Sequence, residues 1–250
     1  GGGLRVEITE YTDPACPWAW GCEPTFRLLR ERTRGLATWR RVFGILFDED
    51  DDPPPDPAAE ASWYAGFIAR TARHTRAPFT SRLQWVASSS WPASLAAKAA
   101  EQQGPEVAER VLRRLRESTF VRGTPADTVD RVLEAVDGVK GLDTARLRAG
   151  MAEPATLDAV RDDWHEARDP LPEARSLRAP ARHPHGAGVK ELEVGVRYSL
   201  PTLVVRGPSG TVVVPGWRAP EEYVAALDAV ASGSDSGSGS GHGSATRPAR

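Results

Sequence analysis

The chain has 250 residues, 40% of them hydrophobic and 26% charged, and carries a formal net charge of −2. This is an ordinary globular composition, long enough for one large domain or a domain with an insertion. Acids and bases are nearly balanced and interspersed, so no long-range field is available to hold nucleic acid or an anionic membrane, and neither is expected as a partner.

The first element is read in "LRVEITEY", Leu4 to Tyr11, where Val6 and Ile8 alternate with polar neighbours as in a strand. A helix follows through "TDPACPWAWGCEPTFRLLRERTRG", closed by Gly35 and with Pro24 as a possible kink. "ATWRRVFGILF", Ala37 to Phe47, reads as a second strand. A strand-helix-strand unit of this kind is right-handed with parallel strands. "DEDDDPPPDP", Asp48 to Pro57, combines like charges with prolines and reads as a solvated connector rather than a metal site.

From Ala58 to about Ala167 the sequence is helical, with Gly, Pro, Ser, Thr or Asp at most segment ends. Val107, Val111, Leu112 and Leu115 make one apolar stripe there. The tryptophans, tyrosine and phenylalanine of this region (Trp63, Tyr64, Phe67, Trp85, Trp91, Trp164) are expected in the core of the helical segment, with one or two lining a cleft over Cys16. Asp169 to Gly188 is an irregular return. Its His183 and His185 have no acidic or cysteine partner at ligand spacing, so no metal site is expected there. A short helix, a strand from Thr202 to Arg206, a "GPSG" turn, a strand from Thr211 to Val214 and a helix from about Pro220 to Val230 complete the pattern. Ser232 to Arg250 is low-complexity and expected to be disordered.

This order predicts an α/β fold, a thioredoxin-type sheet with a large all-helical insertion. Residues 4–47 and 189–231 would form the sheet domain, 48–188 the insertion and 232–250 a tail. No apolar run reaches about 18 residues, and the start does not read as a leader. Two cysteines make no disulfide framework, which favours a reducing, cytoplasmic setting.

Those cysteines, Cys16 and Cys22, lie in "DPACPWAWGC". At the start of a helix, free N–H groups and the dipole favour an anion, and a cysteine there is expected to have its pKa lowered to roughly 3.5–7.5. Pro17 suits that first turn because it lacks a donor. Trp18 is expected as a partly exposed wall beside the sulfur and Trp20 as a core residue. Six residues of continuous helix rise about 9 Å, beyond the roughly 7 Å Cα separation that a disulfide tolerates, and the side chains diverge by about 120°. Cys22 therefore reads as a small buried hydrophobe.

"YTDPACPWAWGCEP" at the first strand-to-helix junction, "YSLPT" opening a later strand, the insert Ser88 to Glu117 and "VPGWRAPEEYVAAL" together resemble the DsbA family. The likeness spans about residues 5–231 and is nearest to the FrnE-like cytosolic branch, which includes mycothiol-dependent reductases and borders the 2-hydroxychromene-2-carboxylate isomerases and kappa-class glutathione transferases. It implies that Cys16 is the nucleophile, that Pro17, Trp18 and Ala19 support it, and that Pro201 is a cis-proline lying against it. It also implies that Leu200 and Thr202 pair with an extended substrate or thiol cofactor. The departure is Ala19, where relatives with a working redox pair have cysteine.

A lone thiol attacks disulfides or electrophiles, and its release depends on an external thiol. The main expectation is a monothiol oxidoreductase or thiol transferase acting on a small-molecule or peptide substrate, with mycothiol or glutathione as co-substrate and no tightly bound cofactor. Two alternatives are a redox-inactive adaptor that holds a peptide beside Pro201, and a thiol-dependent isomerase of a small aromatic compound. No nucleophile elbow for Ser-His-Asp catalysis and no Gly-rich phosphate loop are present.

Overall fold

The computed structural model describes residues 5–48, 52–180 and 185–232. β1 (Val6–Thr12) leads into α1 (Pro17–Arg32) and β2 (Ala37–Phe43), and β1 and β2 pair in parallel from Val6↔Ala37 to Thr12↔Phe43. The second strand thus ends at Phe43, short of the Phe47 expected from composition. α1 runs unbroken through Pro24. β5 (Thr202–Gly207) and β6 (Gly210–Pro215) form the later hairpin, and β5 lies antiparallel to β1, giving the sheet order β2-β1-β5-β6.

The residues of β1 alternate between two cores, as a two-residue period requires. Val6 and Ile8 pack with Phe26 and Leu29 of α1 and with Tyr223, Ala226 and Val230 of α9 (Pro220–Ala231). Tyr11 faces the other way, into a core shared with Cys16, Val42, Tyr198 and Val204.

Between β2 and the hairpin lie α2 (Pro57–Thr75), α3 (Trp91–Ala100), α4 (Pro105–Phe120), α5 (Val129–Ala135), α6 (Thr144–Ala152), α7 (Pro154–Ala167) and the single turn α8 (Pro172–Arg175). Prolines stand in the first turns of α2, α4 and α7, where their missing N–H costs nothing. The alanines of α3 allow close packing against Val111, Leu112 and Leu115, the stripe read from the sequence, and Phe43 of β2 joins that core. The helical segment is thereby welded to the sheet through β2. Where a short helix was expected after Val189, the chain instead forms an antiparallel pair, β3 (Val189–Glu191) and β4 (Val196–Tyr198). Gly195 at φ +76° permits the tight turn between them. The expected disordered tail, 232–250, lies outside the described residues except for Ser232.

Candidate active site

Cys16 is the N-cap of α1, in extended conformation at φ −85° and ψ 119°, with Pro17 entering the first turn. The turn before it is built by Asp13, wholly buried, which accepts from Ala15 N (2.8 Å), Ser90 Oγ (3.1 Å) and Leu46 N (2.8 Å). Burial raises the Asp13 pKa, against the opposing effect of those donors. The Leu200–Pro201 bond is cis, and Cys16 Sγ donates to the Leu200 carbonyl at 3.4 Å. Cys16, Leu200 and Pro201 are thus brought together across the sheet end, with Ala19 buried one turn into α1.

The lowered thiol pKa expected at a helix start does not occur. Burial pushes Cys16 up to about 11 and outweighs the N–H groups of Ala19 and Trp18, which favour the thiolate. The Asp13 carboxylate adds to the rise and Arg197 opposes it. Cys16 is 4% exposed, yet its sulfur borders a cavity of about 1060 Å³. Cys22 belongs to the other core, 3.8 Å from Tyr223 Oη, and burial pushes its thiol up to about 12. Both cysteines are free.

Trp18 lines the cavity together with Cys16, as expected of a wall beside the sulfur, but it is buried rather than partly exposed. It is 8% exposed because His185 stacks on it at 4.8 Å, and Arg218 fixes that loop by donating to the carbonyls of His185 and Gly186. Trp20 is buried against Phe120 and donates to Pro78 O at 2.8 Å. Of the aromatics of the helical segment, Trp63, Tyr64 and Phe67 on α2 line the same cavity as Cys16. Trp63 is 62% exposed rather than a core residue, although it lines the cavity. Trp91 and Trp164 donate to the two oxygens of Asp48, so the start of the acidic connector is a structural anchor rather than a purely solvated loop.

Thr202 is fully buried inside β5, paired with Tyr11 on one side and Pro215 on the other, and its hydroxyl donates to Ser199 O. Its backbone is committed to the sheet, which leaves the Leu200 side of the cis bond facing the cavity. Arg197, one of the residues to which the sequence reading gave no role, is 4% exposed and lines the same cavity. Its only sequence signal is a cation within the apolar run "VRYSLP". His183 lies outside the described residues. Among the described residues no cluster of three His, Cys, Asp or Glu side chains is arranged to hold a metal.

A family model described as Thioredoxin matches residues 10–170, a span that begins in the last residues of β1 and holds Cys16, β2 and most of the helical segment. The chain belongs to the thioredoxin family. Its fold is DsbA-like, a thioredoxin-type sheet carrying many helices. It resembles the structure of a candidate protein disulfide isomerase from Nitrosomonas europaea, with a TM-score of 0.67 at 15% identity, over 90% of this chain and 96% of that one. It also resembles the cytosolic disulfide reductase DsbM from Pseudomonas aeruginosa, with a TM-score of 0.56 at 17% identity, over 89% and 93%. At such identities the likeness is one of fold. A sequence relative, the ClpXP adapter protein SpxH of Shouchella clausii (strain KSM-K16), is 27% identical over 255 residues, covering 89% of this chain and 78% of the relative. Among the described residues no helix of this thioredoxin-family protein is long and apolar enough to cross a membrane.

Proposed function

We propose that this protein is a single-cysteine thiol-disulfide oxidoreductase of the cytosol, in which Cys16 exchanges with a small disulfide and a low-molecular-weight thiol, mycothiol or glutathione, completes the turnover. The observation that carries this reading is that the one sulfur bordering the cavity also faces the N–H groups of Trp18 and Ala19. Those groups stabilise negative charge on Cys16 Sγ, so they assist its departure when an incoming thiolate attacks a mixed disulfide. In the resting protein, burial keeps the sulfur protonated and hydrogen-bonded to Leu200 O. Cys22, packed against Tyr223 in another core, is in no position to resolve the intermediate. DsbM, a fold relative, is also known in a structure with GSH, which supports glutathione as one choice of thiol.

Intact-mass analysis after incubation with glutathione disulfide or mycothiol disulfide tests this. A Cys22→Ala variant should gain one thiol-releasable adduct, and a Cys16→Ser variant should gain none at that site. A Cys16 that stays unmodified with every disulfide, at neutral and mildly alkaline pH, rejects the reading.

A second reading is a redox-inactive adaptor. The raised Cys16 pKa and the likeness to SpxH favour it. An inert Cys16, together with peptide binding that survives Cys16→Ser, would select it.

A further inference from the structure

We propose that the cavity beside Cys16 selects carboxylate-bearing disulfides, with Arg197 binding the carboxylate and the aromatic face of α2 seating an apolar or aryl body. The inference rests on the reading of Cys16 as the exchanging sulfur and names the substrate class for it.

Among the described residues the other buried arginines, Arg116 and Arg218, and the half-buried Arg30 and Arg41 have acidic partners, that of Arg218 being Glu222. Arg116 pairs with Glu23, and Arg30 and Arg41 pair with Glu10. Arg197 is as deeply buried, but its Nε donates only to the Tyr198 carbonyl at 3.1 Å, and among the described residues no carboxylate forms an ion pair with it. The charges it feels are those of Cys16 and Asp13. A buried guanidinium that feels opposite charge only from a distance is short of a direct ion-pair partner, and its planar donors match a carboxylate in bidentate geometry. Arg197 lines the cavity together with Cys16, so a carboxylate that enters meets both. The acids that share the lining, Asp52 and Glu60, are exposed and half-buried. Their charges are therefore more strongly screened by water than that of the buried Arg197.

The α2 wall is apolar. Trp63 and Phe67 stack with ring centroids 6.0 Å apart and planes within 6°, and Tyr64 adjoins them. A planar or hydrocarbon body gains contact area on this wall while its acid group is held at Arg197. In the exchange, the Cys16 thiol loses its proton to solvent and its sulfur attacks one sulfur of the bound disulfide. A Cys16–S–S–R bond forms, the substrate S–S bond breaks, and the second half leaves as a thiolate.

The test compares two aryl disulfides on the Cys22→Ala background, the anionic dithiobis-nitrobenzoate and the neutral dithiodipyridine. Arg197→Gln should slow the anionic reagent about tenfold, the effect of losing about 1.4 kcal/mol of binding, and leave the neutral one within about twofold. Arg197→Lys, which keeps the charge and guards against misfolding, should retain most of the preference. Equal slowing of both reagents, or of neither, overturns the proposal. Tryptophan quenching by nitrobenzoate and by nitrobenzene separates the two readings. Arg197-dependent quenching by the carboxylate alone supports the site even if Cys16 proves inert, and its absence counts against the site whatever Cys16 does.

Discussion

At the scale of single residues, the site depends on how closely α1 and α2 approach. Gly21 lies in α1, and a Cβ there would fall 2.3 Å from Thr75 Cγ2 and 2.5 Å from Thr75 Cβ, at the last residue of α2. The Gly21→Ala variant gains about 1 kcal/mol in helix propensity. It loses more to overpacking, which costs about 1–3 kcal/mol, because Thr75 Cβ is fixed to the backbone and cannot rotate away. A lower urea midpoint is therefore expected, together with a change in Trp63 fluorescence as α2 shifts with its cavity wall. An unchanged or raised midpoint would contradict this account. The importance of Gly21 is not legible from "AWGCEP", where glycine reads only as a weak point in a helix. Its neighbour Thr75 lies on a different element, and no local pattern reports that contact.

At the scale of elements, β1, α1, β2 and α4 are tied by buried charge. Glu10 of β1 accepts from Trp39 Nε1 at 2.9 Å and Arg41 Nε at 3.2 Å, with Arg30 at 3.7 Å. Glu109 of α4 pairs with both Arg30 and Arg41, and Arg116 donates to Thr12 Oγ1 at 2.8 Å. Burial alone would raise the Glu10 carboxyl pKa, but Arg41, Arg30 and Arg116 together hold it below the usual carboxylate range. A depressed folded pKa stabilises the protein above the unfolded value and is lost as pH falls through the folded one. Glu10→Gln should cost about 2 kcal/mol at neutral pH by removing one of the two carboxylates that Arg30 and Arg41 share, Glu109 being left to both. The variant should also lose less stability than the parent on acidification to about pH 3, below the unfolded glutamate value where the contribution of Glu10 is lost. Thermal melts at the two pH values check both statements, and parallel losses in parent and variant would refute the second. The strands and helices that carry these charges were legible from periodicity and prolines. Their pairing was not, because it links residues far apart in the sequence. The same limit explains β3 and β4, where a short run such as Val196–Tyr198 has too few residues to declare a period.

At the scale of the whole molecule, the groups that ionise at high pH are held protonated in several parts of the fold. Burial raises Cys16 to about 11 and Cys22 to about 12, and also raises Tyr11, Tyr64 and Tyr223. An acid whose folded pKa exceeds its unfolded value stabilises the fold below the unfolded pKa and loses that contribution as pH rises through the folded one. Stability should therefore decline steadily from about pH 9 to about pH 11. A Cys16→Ala, Cys22→Ala variant should show a shallower decline by chemical denaturation across that range, and an identical slope would refute it. The overall order of elements was readable in advance because each step has a local signature, and so was the position of Cys16 at a helix start. Its protonation was not, since it is set by burial and by the Asp13 carboxylate, against the N–H groups of Ala19 and Trp18 and the charge of Arg197, an environment that exists only in the folded chain.

Tyr223 and Phe26 keep Cys22 on the far side of the sheet from Leu200, so the two sulfurs of this protein face separate environments. An oxidised Cys16 consequently has no intramolecular sink. Its every oxidised form must incorporate an atom or a molecule from outside the chain, and the chemical identity of that passenger records what the surroundings contained.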